Sequence, residues 1–184
     1  MPATTLDATT ALVLIDLQKG IAGLPVAPLP SAEVIEQGTR LAAAFRARGL
    51  PVVLVNVTGG APGRTQAPRP AGSPPADWAE LVPELDRQPG DILVTKQQWG
   101  AFHGTSLDLE LRRRGVTQIV LAGIATSIGV ESTARAAHEH GYHVTLATDA
   151  MTDLDADAHR NSLEKIFPRL GETGTTAEIL GLLG

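Results

Sequence analysis

The chain has 184 residues, no cysteine and a net charge of -5, from 15 Lys and Arg against 20 Asp and Glu. That length supports one well-packed domain over residues 1–184 and is short for two. The missing cysteines exclude disulfides, thiolate metal ligands and thiol catalysis, and the acidic balance argues against nucleic acid as a partner.

The opening stretch MPATTLDATT lacks a basic segment followed by an apolar run, and no apolar stretch approaches the length of a membrane span. A soluble, cytoplasmic protein with no membrane partner is expected. The first apolar run, ALVLID (11–16), reads as a strand that ends in Asp16, with Leu17 and Gln18 after it. In 31–49, Val34, Gly38, Leu41, Ala42 and Phe45 recur at helical spacing behind the N-cap candidate Ser31. PVVLVNV (51–57) is the second strand. Residues 59–76 are rich in proline and glycine and cannot be helix or central strand; a loop of that length in an α/β domain is expected to be a binding loop or lid.

DILVT (91–95) is the third strand and runs into Lys96. A helix carrying Leu107 and Leu111 follows, with Thr105 as its cap and Gly115 as its stop. The basic run Arg112, Arg113, Arg114 sits at its end, where positive charge complements the helix dipole. TQIVLAG (117–123) is the fourth strand, and the turn GIATSIG (123–129) leads to a helix from near Gly129 to Gly141. HVTLATDA (143–150) fits a fifth strand more loosely. Leu154, Ala158 and Ile166 mark a further helix ending before Pro168, and TTAEILGLLG closes the chain as a short helix.

Apolar runs that are continuous rather than alternating suit parallel strands covered on both faces. Alternating strand and helix then predict an α/β fold: a three-layer, doubly wound, mainly parallel, Rossmann-like sheet of about six strands. Ligands in such sheets bind beyond the carboxyl ends of the strands, near the switch between the first and fourth. Asp16, Lys96 and GIATSIG all end strands there. Asp16 alone reads slightly better as a turn cap and Lys96 as a surface lysine, but together they would make a partly desolvated pair.

GIATSIG is not a nucleophile elbow, because position 125 is Ala, and it has neither a P-loop lysine nor a GxGxxG pattern. Ser127 and Thr126 offer hydroxyls, with His103 the histidine best placed to serve as their base. His138 and His140 are two apart on a helix and face different ways, and HExxH does not occur, so no metal is expected.

Three blocks in order, ALVLIDLQKG, then VTKQQWGAFHGTSLDLELRRRGVTQIVLAGIATSIGVESTARAAHEHGY, then DAMTD, resemble the isochorismatase-like hydrolases. The resemblance spans nearly the whole chain. It implies that Asp16 and Lys96 take the places of the family's aspartate and lysine. Gly129 then stands where amidase members carry the nucleophilic cysteine, in the pattern GxxTxxCVExTAR. It also implies a non-proline cis bond between Ile124 and Ala125, a pocket wall changed by Ile21 where phenylalanine is common, no cofactor, and a homo-oligomer.

VNVTGGAPGRT lacks the metal-binding aspartate and histidines of nicotinamidases. Isochorismatases share the missing cysteine and carry glycine in its place, which favours enol-ether hydrolysis of a small, anionic metabolite, with Asp16 as the acid and Lys96 holding the substrate carboxylate or tuning Asp16. Gln18, Ile21, Trp99, Phe102, Ile124, Ala125, Thr126 and Ser127 are the expected substrate-binding residues. Trp99 and Phe102 are candidates for a dry wall beside Asp16, with ordinary core packing as the other reading. A catalytically silent ligand-binding or scaffold protein, and an amidase using water or Ser127, remain open alternatives.

Overall fold

The computed structural model describes residues 2–66 and 72–184. Its strands are β1 (Thr10–Ile15), β2 (Val52–Val57), β3 (Ile92–Lys96), β4 (Gln118–Ile124), β5 (His143–Thr152) and β6 (Glu172–Gly174). They form a six-stranded sheet in the order β3-β2-β1-β4-β5-β6, with every neighbouring pair parallel. The order reverses between β1 and β4, as expected from the sequence, and this opens a crevice at their carboxyl ends.

Strand side chains alternate between the two faces. Ala11, Val13 and Ile15 of β1 face one core with Leu107, Leu111, Ala134 and Phe167. Leu12 and Leu14 face the other with Val34, Leu41, Phe45 and Ile179. The first layer therefore holds α3 (Leu107–Arg113), α4 (Glu131–Glu139) and the segment beginning with α5 (Ala156–Asn161). The second holds α2 (Ser31–Ala47) and α6 (Thr176–Leu182). A single turn, α1 (Lys19–Ala22), follows β1.

Local departures from the sequence reading have physical causes. β3 is an edge strand, so its residues alternate between buried and exposed instead of being covered throughout, and Leu93 faces solvent. Pro30, in extended backbone, occupies the cap position of α2, and Ser31 is already helical. The helix expected to run to Ile166 instead widens at Ser162–Ile166 and tightens at Phe167–Arg169, where Pro168 cannot donate to a regular turn. β6 is too short to register as an apolar run.

Within the proline- and glycine-rich loop, 67–71 lie outside the described residues. Among those described, no helix is long and apolar enough to cross a membrane.

Candidate active site

The backbone at Asp16 has φ 52, a left-handed conformation that Asp, with its short polar side chain, tolerates better than most residues. The Asp16 N–H still donates to the Val55 carbonyl at 2.9 Å, continuing the ladder with β2. The chain turns there. Leu17 enters the core, and Gln18 hooks onto β2, accepting from Val57 N–H at 2.8 Å and donating to the carbonyls of Val57 and Trp78.

Lys96 ends β3, two strands away. Its Nζ donates to Asp16 Oδ2 at 2.7 Å, to the Trp99 carbonyl at 2.8 Å and to the Gln98 carbonyl at 3.2 Å. The pair is almost dry, with Lys96 2 % and Asp16 5 % exposed. An ammonium has three hydrogens to give, and all three are engaged. Asp16 Oδ1 is buried without a hydrogen-bond partner. Burial raises the Asp16 carboxyl from its ordinary 3.8 to about 6, against the opposing pull of the Lys96 charge and hydrogen bond.

The third component is the wide turn Thr126–Val130 between β4 and α4. The Ile124–Ala125 bond is cis, as the resemblance implied. Gly129 faces the pair so closely that a Cβ built on it would lie 2.9 Å from Ile15 Cγ2, 3.2 Å from Asp16 Oδ2 and 3.6 Å from Lys96 Nζ. The turn is held from behind. Asp153, itself buried, accepts from the N–H groups of Ser127 at 2.6 Å and Leu154 at 2.7 Å. Thr126 Oγ1 shares a 2.8 Å hydrogen bond with His159 Nδ1, and Thr133 Oγ1 donates to the Gly129 carbonyl at 2.7 Å. Burial lowers the His159 pKa, with the Asp153 charge opposing.

These elements enclose a pocket of about 220 Å³ at the switch between β1 and β4. Asp16, Lys96, Gly129, Ile21, Trp99, Ile124 and Ala125 all line it. Four of the expected substrate-binding residues do not. Gln18 spends its amide on the backbone of Val57 and Trp78. Phe102 packs into the core, with its ring centroid 5.1 Å from that of His140 and 5.8 Å from that of Tyr142. Thr126 is buried against His159, and the Ser127 backbone is tied to Asp153. His103, the candidate base, is exposed.

Trp99 is 64 % exposed, so it forms part of the rim, and Ile21, Ile124 and Ile128 supply the dry wall. Trp78, Leu24 and Leu154 were missed by the sequence reading and also line the pocket. Leu154 carried a signal, since it directly follows the DAMTD block at the end of β5. The Trp78 and Leu24 positions had none. Gly59 and Gly60 bring the start of the proline-rich loop to the pocket.

A larger crevice of about 670 Å³ lies by the opposite, amino-terminal sheet edge, but its Arg46 is already paired with Asp91 at 2.7 Å. Among the described residues, no group of three or more His, Cys, Asp or Glu could hold a metal ion.

A doubly wound parallel sheet with a buried Asp–Lys pair in a pocket at its switch point defines an α/β protein with a candidate active site. Residues 10–178 match the isochorismatase domain, and the chain belongs to the isochorismatase family of hydrolases. It is 49 % identical over 178 residues to an uncharacterized isochorismatase family protein of Bacillus subtilis, covering 93 % of this chain and 92 % of that one. It is 32 % identical over 209 residues to a ureidoacrylate amidohydrolase of Methylobacterium radiotolerans, covering 96 % and 80 %. Among solved structures, an isochorismatase family protein from Burkholderia thailandensis superposes with a TM-score of 0.94 at 46 % identity, over 97 % of each chain.

Proposed function

We propose that this protein hydrolyses the enol ether of a small molecule, with Asp16 as general acid and without a nucleophilic side chain. The observation that carries the reading is the Asp16 carboxyl itself. It is buried in an apolar pocket, raised to about 6, and has one oxygen on Lys96 and the other unpartnered. A carboxyl poised near neutrality can give its proton and take it back.

The protonated carboxyl delivers its proton to the vinyl carbon, whose π pair forms the new C–H bond and leaves an oxocarbenium ion. Water adds to the oxygen-bearing carbon of that ion and returns a proton to the Asp16 carboxylate. The resulting hemiketal collapses to a carbonyl compound and an alcohol. Lys96 keeps the carboxylate form from becoming too costly and so tunes the acid. Gly129, at the position where amidase members of the family carry cysteine, leaves the space that the reacting carbon would fill.

Homologues named as amidases keep acyl transfer in view, but Ser127 lies outside the pocket lining and no histidine lines the pocket beside it. The experiment is a substrate panel of enol ethers, amides and carbamoyl compounds with wild type and Asp16→Asn. The expected outcome is enol-ether turnover that falls by about 100-fold or more in Asp16→Asn, the scale of general-acid catalysis. Turnover of amides alone would replace this reading with acyl transfer by water, and no turnover of any compound would leave a silent binding protein.

A further inference from the structure

We propose that the pocket selects an uncharged substrate whose body is apolar and about one ring in size. The inference rests on the acid-catalysis reading for the reacting end of the molecule and concerns what the rest of the molecule must be. It departs from the anionic substrate expected from the sequence.

Lys96 is the one cation that lines the pocket among the described residues, and its hydrogens go to Asp16 Oδ2, the Gln98 carbonyl and the Trp99 carbonyl. A substrate carboxylate could bind it only by displacing one of these. Across the walls made by Ile21, Leu24, Trp78, Ile128 and Leu154 a carboxylate would lose its water to apolar side chains. Among the described residues, the one side-chain polar atom left buried and unsatisfied is Asp16 Oδ1. A single unsatisfied carboxyl oxygen set among mostly apolar side chains is the complement of an uncharged ether.

Size follows from the walls. The pocket, open at its mouth, has a volume of about 220 Å³, against roughly 150 Å³ for an apolar cavity that takes up benzene. The Trp78 wall is fixed. Its indole lies against Gly20, where a Cβ would come within 1.9 Å of Trp78 Cδ1. The Trp78 carbonyl accepts from Gly20 N–H at 2.9 Å and from Gln18 Nε2 at 3.1 Å. Trp99 and Leu154, both largely exposed at the mouth, present flat and branched apolar surface to whatever enters.

The test is equilibrium binding of three one-ring probes, benzyl alcohol, benzoate and phthalate, by calorimetry at pH 8, with wild type and Trp99→Ala. Benzyl alcohol is expected to bind wild type about 10-fold or more tighter than phthalate, with benzoate between them. Trp99→Ala should weaken benzyl alcohol several-fold. Phthalate binding as tightly as benzyl alcohol overturns the proposal, as does an absence of saturable benzyl alcohol binding or an unchanged affinity in Trp99→Ala. None of these readings involves turnover, so the preference for uncharged ligands and the assignment of Asp16 as acid stand or fall separately.

Discussion

At Asp16 two forces act on one proton: burial favours the neutral carboxyl, the Lys96 ammonium favours the carboxylate, and burial prevails with a value of about 6. Acid catalysis uses the protonated form. The hydrolysis rate, read as kcat/KM, is therefore expected to be level below about pH 6 and to fall roughly tenfold per pH unit above it. Lys96→Met removes the pull toward the carboxylate, so the same limb should move to higher pH. If Lys96 instead held a substrate carboxylate, KM would rise and the limb would stay in place. Gly129→Cys places a Cβ against Ile15, Asp16 and Lys96 and is expected to lower enol-ether turnover, because the thiol takes the space of the reacting carbon. A large gain in enol-ether hydrolysis would contradict acid catalysis. That Asp16 and Lys96 meet at one end of the sheet was legible because both end apolar strands. The partners that hold Gln18, Phe102 and Thr126 away from the pocket were not legible, since a sequence locates a residue along its strand or turn but not the backbone carbonyl or neighbouring ring that will claim its side chain.

Among the elements, the turn between β4 and α4 depends on a residue that comes from β5's far end. Asp153 accepts N–H groups of both Ser127 and Leu154, so Asp153→Ala strands the Ser127 donor in a partly buried site. A loss of about 1–3 kcal/mol in unfolding free energy is expected for the stranded donor, together with reduced turnover, and denaturant melts with kinetics on the same variant would check both. Unchanged stability would show that the turn holds its shape without Asp153. Gly123 is a second anchor: its φ of +126 and the 2.1 Å approach of a built Cβ to the Ile15 carbonyl leave no room for a side chain between β4 and β1. Strands β1, β2 and β4 were legible because burial on both faces writes continuous apolar runs. β6 was not, since a three-residue edge strand, ETG, needs no apolar residue to pair with β5. The break after α5 is written by Pro168, but how the preceding turn widens is decided by tertiary packing.

For the molecule as a whole, the switch in strand order sets the end of the sheet where chemistry collects, and three chain segments that are far apart in sequence supply it. The fold was legible from the alternation of elements, whereas the apolar character of the pocket was not. Beside Ile21, Ile124 and Ile128, its apolar walls take in Leu24, Trp78 and Leu154, which sit in connecting segments with no periodic pattern. The raised Asp16 carboxyl also couples the site to folding. Between about pH 4 and 6 the native state holds a proton that the unfolded chain has released, so this group's contribution to stability falls as pH rises through that window and is level above it. The most direct measurement is the carboxyl titration of Asp16 followed by carbon NMR in protein labelled at aspartate, with Asp16→Asn to assign the signal. A midpoint at about 6 is expected. A midpoint at or below the ordinary 3.8 would mean that the Lys96 charge prevails over burial, leaving Asp16 ionised at neutral pH and unable to act as the acid.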